Sequence, residues 1–330
     1  MTATQVPTFA DVADAAARLA GKAVRTPLLR SAALDSRTGG TVLLKSELSQ
    51  HTGSFKYRGA MNRISRLDDA ARKAGVVAYS SGNHAQAVAA VAHALGTPAV
   101  IVMPSDAPAV KIARTRAHGA EIVLYDRATE NREEIAGRIA AARGAALVPP
   151  FDDPYIIAGQ GTVGLEIAED ARALGLAPDA VLVPCSGGGL VAGIALAVTH
   201  YFPSVAVYAV EPAGFDDTRR SLAAGTRLAN QSGPPSICDA LLVATPGAIT
   251  FAINARLLAG GIAVADEDVL RAMAFAHREL GLAVEPGGAV ALAAVLAGQF
   301  DARGRTVVAV LSGGNVDEAM MGRALAAAAV

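Results

Sequence analysis

Short apolar runs alternate with helical segments along most of this chain. From residue 76 onward the runs VVAYSS, AVIVMP, EIVLYD and AALVPP are separated by helical segments such as GNHAQAVAAVAHALG and a segment from about Glu130 to Ala142. A second series contains AVLVPC, VAVYAVEP and TVVAVLSGGN. Buried strands that alternate with helices are typical of parallel sheets with crossover connections. The pattern predicts an α/β fold with two lobes of mostly parallel, twisted sheet flanked by helices.

The two series of strands predict two domains. Residues 76–146 would form a small domain, and residues 1–75 together with 147–330 a large one. The sequence shows no internal repeat, low-complexity segment or long linker between them. Ligands of open α/β sheets bind beyond the carboxyl ends of the strands, so we expect the functional site in the cleft between the lobes.

Composition narrows the possible partners and the compartment. Lys and Arg total 29 against 30 Asp and Glu, and no basic stripe is present, which argues against nucleic acid or an anionic membrane surface as partner. The apolar stretches are too short to span a membrane, and the start of the chain has no signal-peptide pattern. Two cysteines make no disulfide framework. We therefore expect a cytoplasmic protein.

The segment TGSFKYRGA places a lysine where a helix is predicted to begin. Lys56 follows Gly53, Ser54 and Phe55. A lysine at a helix start is usually a solvated surface residue. When it is buried, however, its pKa falls and the amine becomes a useful nucleophile and base.

Three further loops carry Gly, Ser or Asn between a predicted strand and a predicted helix. SSGNHAQA (80–87) has the residue types of a helix N-cap, and such a helix end also binds carboxylates. SGGGLVAG (186–193) can close backbone amides around a phosphate, although it is neither a Walker A sequence nor a GxGxxG fingerprint. LSGGN (311–315) is consistent with a tight turn between a strand and a helix.

Together and in this order, the four loops resemble those of the fold-type II pyridoxal-phosphate (PLP) enzymes, the fold of the tryptophan synthase β-subunit. SFKYRGA and SSGNHAQA resemble the branch that contains threonine/serine dehydratases and serine racemase. The resemblance extends from TPLLRS to SGGNVDE, which is most of the chain. It implies PLP as the cofactor.

The resemblance also implies cofactor contacts. Lys56 would form a Schiff base with PLP, Phe55 would pack against its pyridine ring, Asn83 would meet its phenolic oxygen, and Ser312 its ring nitrogen. The phosphate would be held by the loop that starts at Ser186 and continues through Gly187, Gly188, Gly189 and Leu190. Most relatives have glycine where this chain has Ser186, which is a departure from the family pattern at the first position of the loop.

Catalytic and substrate contacts follow from the same resemblance. Lys56 would remove the α proton of the substrate, and Ser81 matches the serine that serves racemases as the base on the opposite face. Substrate contacts are expected at Ser80, Ser81, Asn83 and His84. Arg132 aligns loosely with a substrate-carboxylate contact, but its acidic neighbours favour a position on a solvated helix face.

The segment VEPAGFDD resembles a segment that binds a divalent cation in serine racemase-like enzymes. Glu211, Asp217 and the carbonyl of Phe215 would then bind Mg²⁺ or Ca²⁺. A solvated acidic turn is equally consistent with these residues.

The predicted activity is that of a PLP-dependent ammonia-lyase. It would dehydrate a β-hydroxy amino acid (threonine, serine or a relative such as 3-hydroxyaspartate) to a 2-oxo acid and ammonia. The main alternative is an amino-acid racemase of the same fold. Less favoured alternatives are a β-replacement enzyme and a metabolite-binding α/β protein. The segment at 236–251 differs from the usual family sequence and suggests an altered pocket for the substrate side chain. The expected partner is a small amino-acid substrate. The expected oligomeric state is a homodimer or homotetramer.

Overall fold

The computed structural model describes residues 5–231 and 233–327. Residues 1–4, 232 and 328–330 of the predicted large domain lie outside the described residues. The strands of the described part are β1 (Leu28–Arg30), β2 (Thr41–Ser46), β3 (Val76–Tyr79), β4 (Ala99–Pro104), β5 (Glu121–Tyr125), β6 (Ala146–Leu147), β7 (Ala180–Pro184), β8 (Ala206–Pro212), β9 (Leu258–Val264) and β10 (Thr306–Leu311).

Helices connect most of these strands. They are α1 (Phe9–Leu19), α2 (Ala32–Thr38), α3 (Lys56–Ile64), α4 (Asp69–Ala74), α5 (Asn83–Ala94), α6 (Ala109–Ala117), α7 (Arg132–Arg143), α8 (Pro154–Ala173), α9 (Gly189–Tyr201), α10 (Asp217–Ala224), α11 (Ala248–Leu257), α12 (Asp266–Leu280), α13 (Pro286–Leu296) and α14 (Glu318–Ala327). None of the described helices is long and apolar enough to cross a membrane.

The strands form two separate sheets. One has six strands in the order β1-β2-β10-β7-β8-β9, in which only the pair β1–β2 is antiparallel. The other has four parallel strands in the order β5-β4-β3-β6. The predicted fold class, two mostly parallel sheets flanked by helices, is confirmed. The smaller sheet takes its strands from residues 76–147, but the division into two domains stays a prediction.

Helices cover both faces of the six-stranded sheet. Successive residues of a strand face opposite sides, so Leu182 packs with residues of α12 and α13, whereas Val181 and Val183 pack with residues of α8 and α9. All five residues of β7 are buried. A strand buried on both faces needs a continuous apolar run, which is why AVLVP was recognisable in the sequence.

Helices α3 and α8 approach each other closely, and α3 is the helix that begins at Lys56. A Cβ added at Gly159 would lie 2.7 Å from the Cα of Gly59, so a side chain there requires a shift of backbone, and a Cβ at Gly59 would collide with the side chain of Gln160. The amide of Gly59 also donates to the side chain of Gln160, at 3.1 Å. The two helices are therefore fixed to one another just beyond the lysine.

Candidate active site

A cavity of about 360 Å³ lies where the carboxyl ends of both sheets meet. Its lining includes the loop after β3, the loop after β7, the loop after β10 and the first residues of α3. The structure thus brings the four loops singled out in the sequence to one place. Parallel strands produce this arrangement because their carboxyl ends lie on the same edge of each sheet.

Lys56 lies in this cavity as the first residue of α3. Its Nζ donates to the carbonyl oxygen of Pro150 at 2.7 Å and lies 5.1 Å from the centre of the Phe55 ring. Burial lowers the pKa of Lys56 to about 8, against a smaller opposing effect of the Glu285 carboxylate. A larger fraction of this amine is therefore neutral and nucleophilic near pH 7 than in an exposed lysine.

The loop before Lys56 is joined to the loop after β10. Ser54 forms an isolated antiparallel bridge with Gly313, and the amide of Phe55 donates to the carbonyl of Ser312 at 3.2 Å. Ser312 itself is nearly buried and lines the cavity. The backbone therefore sets the position of Lys56 relative to Ser312.

The glycine-rich loop runs from the end of β7 into α9. Gly188 has φ 92°, a left-handed conformation that favours glycine. A Cβ at Gly187 would collide with the ring of Phe151, and one at Gly188 would lie 2.7 Å from the amide nitrogen of Asn254. The Gly187 carbonyl accepts a hydrogen bond from the Thr250 hydroxyl at 2.6 Å. Ser186, Gly189 and Leu190 also line the cavity, so the start of α9 faces it.

The start of α5 supplies the predicted substrate contacts. Ser80, Ser81, Asn83 and His84 all line the cavity. His84 Nε2 lies 2.9 Å from the carbonyl of Val148, which can only accept, so Nε2 carries the proton. Burial, together with the charge of Lys56, lowers the pKa of His84 to about 3. His84 is therefore a neutral ring that keeps Nδ1 as an acceptor.

Cationic side chains on the other wall of the cavity were not predicted as site residues. Lys111 and Arg114 come from α6, Arg127 from the segment after β5, and Arg132 from the start of α7. Arg132 is half-buried, and its guanidinium carbon lies 5.7 Å from the centre of the Tyr79 ring. The preference for a solvated helix face was therefore wrong for Arg132. A cation in the first turn opposes the helix dipole, which was a usable signal in the sequence.

Two further polar residues of the cavity were also missed. Glu285 precedes α13 and is nearly buried. Burial, opposed by the hydrogen bond from Asn83, raises the pKa of Glu285 to about 7. Asn315 ends the motif LSGGN and was quoted without a role. Residues 239–243, part of the segment expected to alter the side-chain pocket, also line the cavity.

The acidic turn lies apart from the residues that line the cavity. Glu211 is fully buried and accepts hydrogen bonds from the amides of Thr218 and Arg219, at 3.0 and 2.8 Å. Asp217 accepts from Asn230 at 2.7 Å through Oδ1, while its buried Oδ2 has no partner among the described residues. Burial, with the nearby Asp217, raises the pKa of Glu211 to about 8.

Burial also raises the pKa of Asp217, to about 6. A solvated turn is excluded, because both carboxylates are buried. No group of three His, Cys, Asp or Glu side chains within residues 5–231 and 233–327 is arranged to hold a metal ion. A cation here would therefore depend on two carboxylates and on backbone oxygens such as that of Phe215.

Comparison with known proteins agrees with this geometry. Residues 20–313 match the family model described as pyridoxal-phosphate dependent enzyme. The L-threo-3-hydroxyaspartate ammonia-lyase of Saccharomyces cerevisiae is 42% identical over 94% of this chain and 94% of its own length. The L-threonine ammonia-lyase of Thermotoga maritima is 41% identical over 96% of this chain and 77% of its own. The structure of maize serine racemase has a TM-score of 0.90 and 37% identity, covering 98% of both chains.

The chain belongs to the family of pyridoxal-phosphate-dependent enzymes. The predicted cofactor, PLP, is confirmed. The predicted enzyme class is also confirmed: a PLP-dependent ammonia-lyase of the threonine/serine dehydratase kind that acts on a β-hydroxy amino acid.

The buried neutral His84 predicts a specific dependence of stability on pH. Between its unfolded pKa of 6.5 and its folded pKa of about 3, the unfolded chain binds a proton that the folded chain does not. Stability should therefore fall as pH falls below 6.5, by up to about 1.4 kcal/mol per pH unit from this group. His84→Gln should remove that contribution, which urea unfolding of both proteins between pH 7 and 5 would measure.

The exposed His277 provides the matched control. His277→Gln should leave the slope of stability against pH almost as in the natural protein. Equal slopes for the natural protein and His84→Gln would contradict a neutral, buried His84.

Proposed function

We propose that the substrate is a β-hydroxy amino acid with a second carboxylate in its side chain, such as 3-hydroxyaspartate. The observation that carries this proposal is the charge of the cavity wall. Five cationic side chains line the cavity against two acidic ones, Asp239 and Glu285. An anionic substrate is the natural complement of such a wall.

Apart from Lys56, two of these cations lack an anionic partner of their own. Lys111 pairs with Asp239 at 2.6 Å and Arg127 with Asp106 at 2.7 Å. In the part of the chain that the structure describes, the guanidinium groups of Arg114 and Arg132 pair with no carboxylate. Arginine binds carboxylates through two parallel hydrogen bonds, and a half-buried one gains more from this than a solvated one. A substrate carboxylate would provide the missing partner.

The two ends of the cavity can then bind the two carboxylates separately. The α-carboxylate would be held by Ser80, Ser81 and Asn83 at the start of α5, where backbone N–H groups favour an anion. The second carboxylate would lie toward Arg132. The 3-hydroxyaspartate ammonia-lyase from yeast, 42% identical to this chain, supports the same substrate.

The residues of the glycine-rich loop fit the phosphate of PLP. The loop has no side chains at Gly187, Gly188 and Gly189, and it leads into the N-terminus of the 13-residue helix α9. Backbone N–H groups at such a helix start bind phosphate. Lys56 would hold the cofactor covalently, with Phe55 against its ring and Ser312 at its ring nitrogen.

Proton transfer would be carried out by Lys56 and Ser81. When bound, PLP supplies an electron sink for the electrons of the α carbon. Lys56, whose pKa is already lowered by burial, would remove the α proton. Ser81 would provide the second proton-transfer group, and His84, held neutral, would serve as a lining contact that cannot repel a cationic substrate amine.

Replacement of Arg132 tests the proposed substrate. Arg132→Met should lower kcat/KM for 3-hydroxyaspartate by about 10- to 100-fold, the effect of losing a charge-assisted hydrogen bond of about 1.5–3 kcal/mol. The kcat/KM for serine should change little. Release of 2-oxo acid from a panel of β-hydroxy amino acids gives both values, and Lys56→Ala serves as the inactive reference.

Arg138 is exposed on the same helix and is the matched control. Arg138→Met should leave both substrates unaffected. An equal loss for serine and 3-hydroxyaspartate in Arg132→Met would count against a side-chain carboxylate contact. Chiral analysis of the recovered serine would reveal racemisation. Ser81, which lines the cavity, would be the second base that racemisation requires.

We also propose that Glu211, Asp217 and the carbonyl of Phe215 bind Mg²⁺ or Ca²⁺. The support is the buried, unpartnered Oδ2 of Asp217 beside a second buried carboxylate. Two buried carboxylates without a cation repel each other, and oxygen ligands of this kind suit both metals.

Removal of the cation should then lower the melting temperature. A ligand that binds only the folded state stabilises it by about 2.7 kcal/mol at a hundredfold excess over Kd. EDTA should reduce the melting temperature, Mg²⁺ or Ca²⁺ should restore it, and Asp217→Asn should abolish the response. Asp216→Asn should retain it, since Asp216 pairs with Arg219 and Arg220. A melting temperature that EDTA leaves unchanged would rule out the cation.

The remaining predictions concern organisation. We propose that residues 76–146 form a small domain and residues 1–75 with 147–330 a large one, which the separate four-stranded sheet supports. We further propose a cytoplasmic homodimer or homotetramer. Sedimentation equilibrium would determine the number of subunits.

A further inference from the structure

Two polar residues in the cavity have no part in the function described so far. Glu285 lies directly before α13, and Asn315 lies in the loop after β10. Both line the cavity, and both contact Asn83, which begins α5. Their contacts therefore join the start of α5, which follows β3 of the four-stranded sheet, to the loop after β10 and to the segment between α12 and α13.

The hydrogen bonds among these residues run in one direction. Asn315 Nδ2 donates to the carbonyl oxygen of Thr52 at 2.8 Å and to Oδ1 of Asn83 at 2.8 Å. Asn83 Nδ2 in turn donates to Oε1 of Glu285 at 2.6 Å. A backbone carbonyl can only accept, so the atom of Asn315 beside Thr52 must be its nitrogen. It follows that Asn83 presents its oxygen to Asn315 and its nitrogen to Glu285.

Both ends of this chain of hydrogen bonds are held rigidly. Thr52 has φ 61° and Gly53, which follows it, has φ 72°, both in the left-handed region, and a Cβ at Gly53 would lie 2.8 Å from Oδ1 of Asn315. A Cβ at Gly313 would collide with Oε1 of Glu285. The Glu285 amide donates to the Gly313 carbonyl at 3.1 Å. The two partners of Asn83 are thus fixed by the backbone around them.

We propose that Asn315 and Glu285 are positioning residues that hold the Asn83 carboxamide in a single orientation, which leaves its second N–H as the donor it offers to the cofactor. The inference rests on the proposed role of Asn83 as the partner of the phenolic oxygen of PLP. Oδ1 of Asn83 accepts from Asn315 and one N–H donates to Glu285, so the second N–H is the donor that Asn83 has left for that contact.

Asn315→Asp should reverse this arrangement. A carboxylate at position 315 can only accept, so Asn83 would have to turn its NH₂ group toward it. Above pH 7, where Glu285 is ionised, Oδ1 of Asn83 would then face a carboxylate, and two acceptors would oppose each other. Glu285→Gln provides an NH₂ group at that place. The double variant should therefore satisfy the reversed carboxamide, whereas Asn315→Asp alone cannot.

The experiment compares PLP-loaded forms of the natural protein, Asn315→Asp, Glu285→Gln, the double variant, Asn315→Ala and Asn83→Ala. The readouts are the ratio of the two absorption bands of bound PLP, the Kd for PLP and the urea midpoint. Asn315→Asp should change the band ratio, weaken PLP binding about tenfold or more and lower the midpoint. Asn315→Ala, which adds no charge, should shift the band ratio in the same direction even if Asn315→Asp fails to fold.

Coupling between the two positions is the decisive result. Glu285→Gln should raise the urea midpoint of Asn315→Asp while the altered band ratio persists, because the carboxamide is satisfied but reversed. Additive losses in the double variant would overturn the proposal, as would an unchanged band ratio in both Asn315 variants. The exposed Glu318 provides the control, and Glu318→Gln should match the natural protein in all three measurements.

Asn83→Ala separates this inference from the function on which it rests. If it leaves the band ratio and the Kd for PLP unchanged, the proposed contact of Asn83 with the cofactor is wrong. If it changes both while the variants at 315 and 285 change neither, only the positioning role is wrong.

Discussion

A buried group of four charges fixes the helix that carries Lys56. Arg58, two residues further along α3, donates to Glu47 at 2.8 Å through Nε and to Glu166 of α8 at 2.6 Å through Nη1. Lys45 of β2 donates to the same Glu166 at 2.7 Å. Two cations balance two anions, so each of these buried charges is stabilised by an opposite charge in place of solvating water. Removal of one partner from such a group typically costs about 3–5 kcal/mol.

This charge group has a consequence for the cavity. Arg58 and Glu166 can meet only because α3 and α8 lie close together, and the glycines at 59 and 159 permit that approach. Since α3 begins at Lys56, the packing that pairs Arg58 also determines where the amine lies. A lysine held in this way needs little further ordering when it meets its cofactor, which is the advantage of preorganisation.

The sequence predicted the features that depend on local pattern. Runs such as AVLVP are buried on both faces and were recognisable as strands, and the loops that follow them were recognisable by their Gly, Ser and Asn. Strand β2 was missed because TVLLKS contains Lys45, whose burial depends on Glu166, 121 positions away along the chain. Strand β9 was missed because LAGGIAV is rich in glycine and lies at a sheet edge. Glu285 was missed because only the fold brings it to the cavity. Arg132 was named for its alignment with a substrate-carboxylate contact, but its acidic neighbours led to the preference for a solvated helix face.

Burial shifts the pKa values of Lys56 and Glu285, two ionisable groups of the cavity, in opposite directions. Loss of water disfavours the charged form of any group, so it lowers the pKa of Lys56 to about 8 and raises that of Glu285 to about 7. A solvated lysine and glutamate would have pKa values about six units apart, with both groups fully charged at neutral pH. Here the two pKa values approach neutrality from opposite sides. Small changes in the surrounding charge, such as the arrival of an anionic substrate, can therefore move a proton on or off either group, whereas the ion pairs of Arg58 with Glu47 and Glu166 hold α3 in place. Buried charges that are paired with opposite charges thus hold the structure together, whereas the burial of Lys56 and Glu285 without such pairs brings their pKa values close to neutrality.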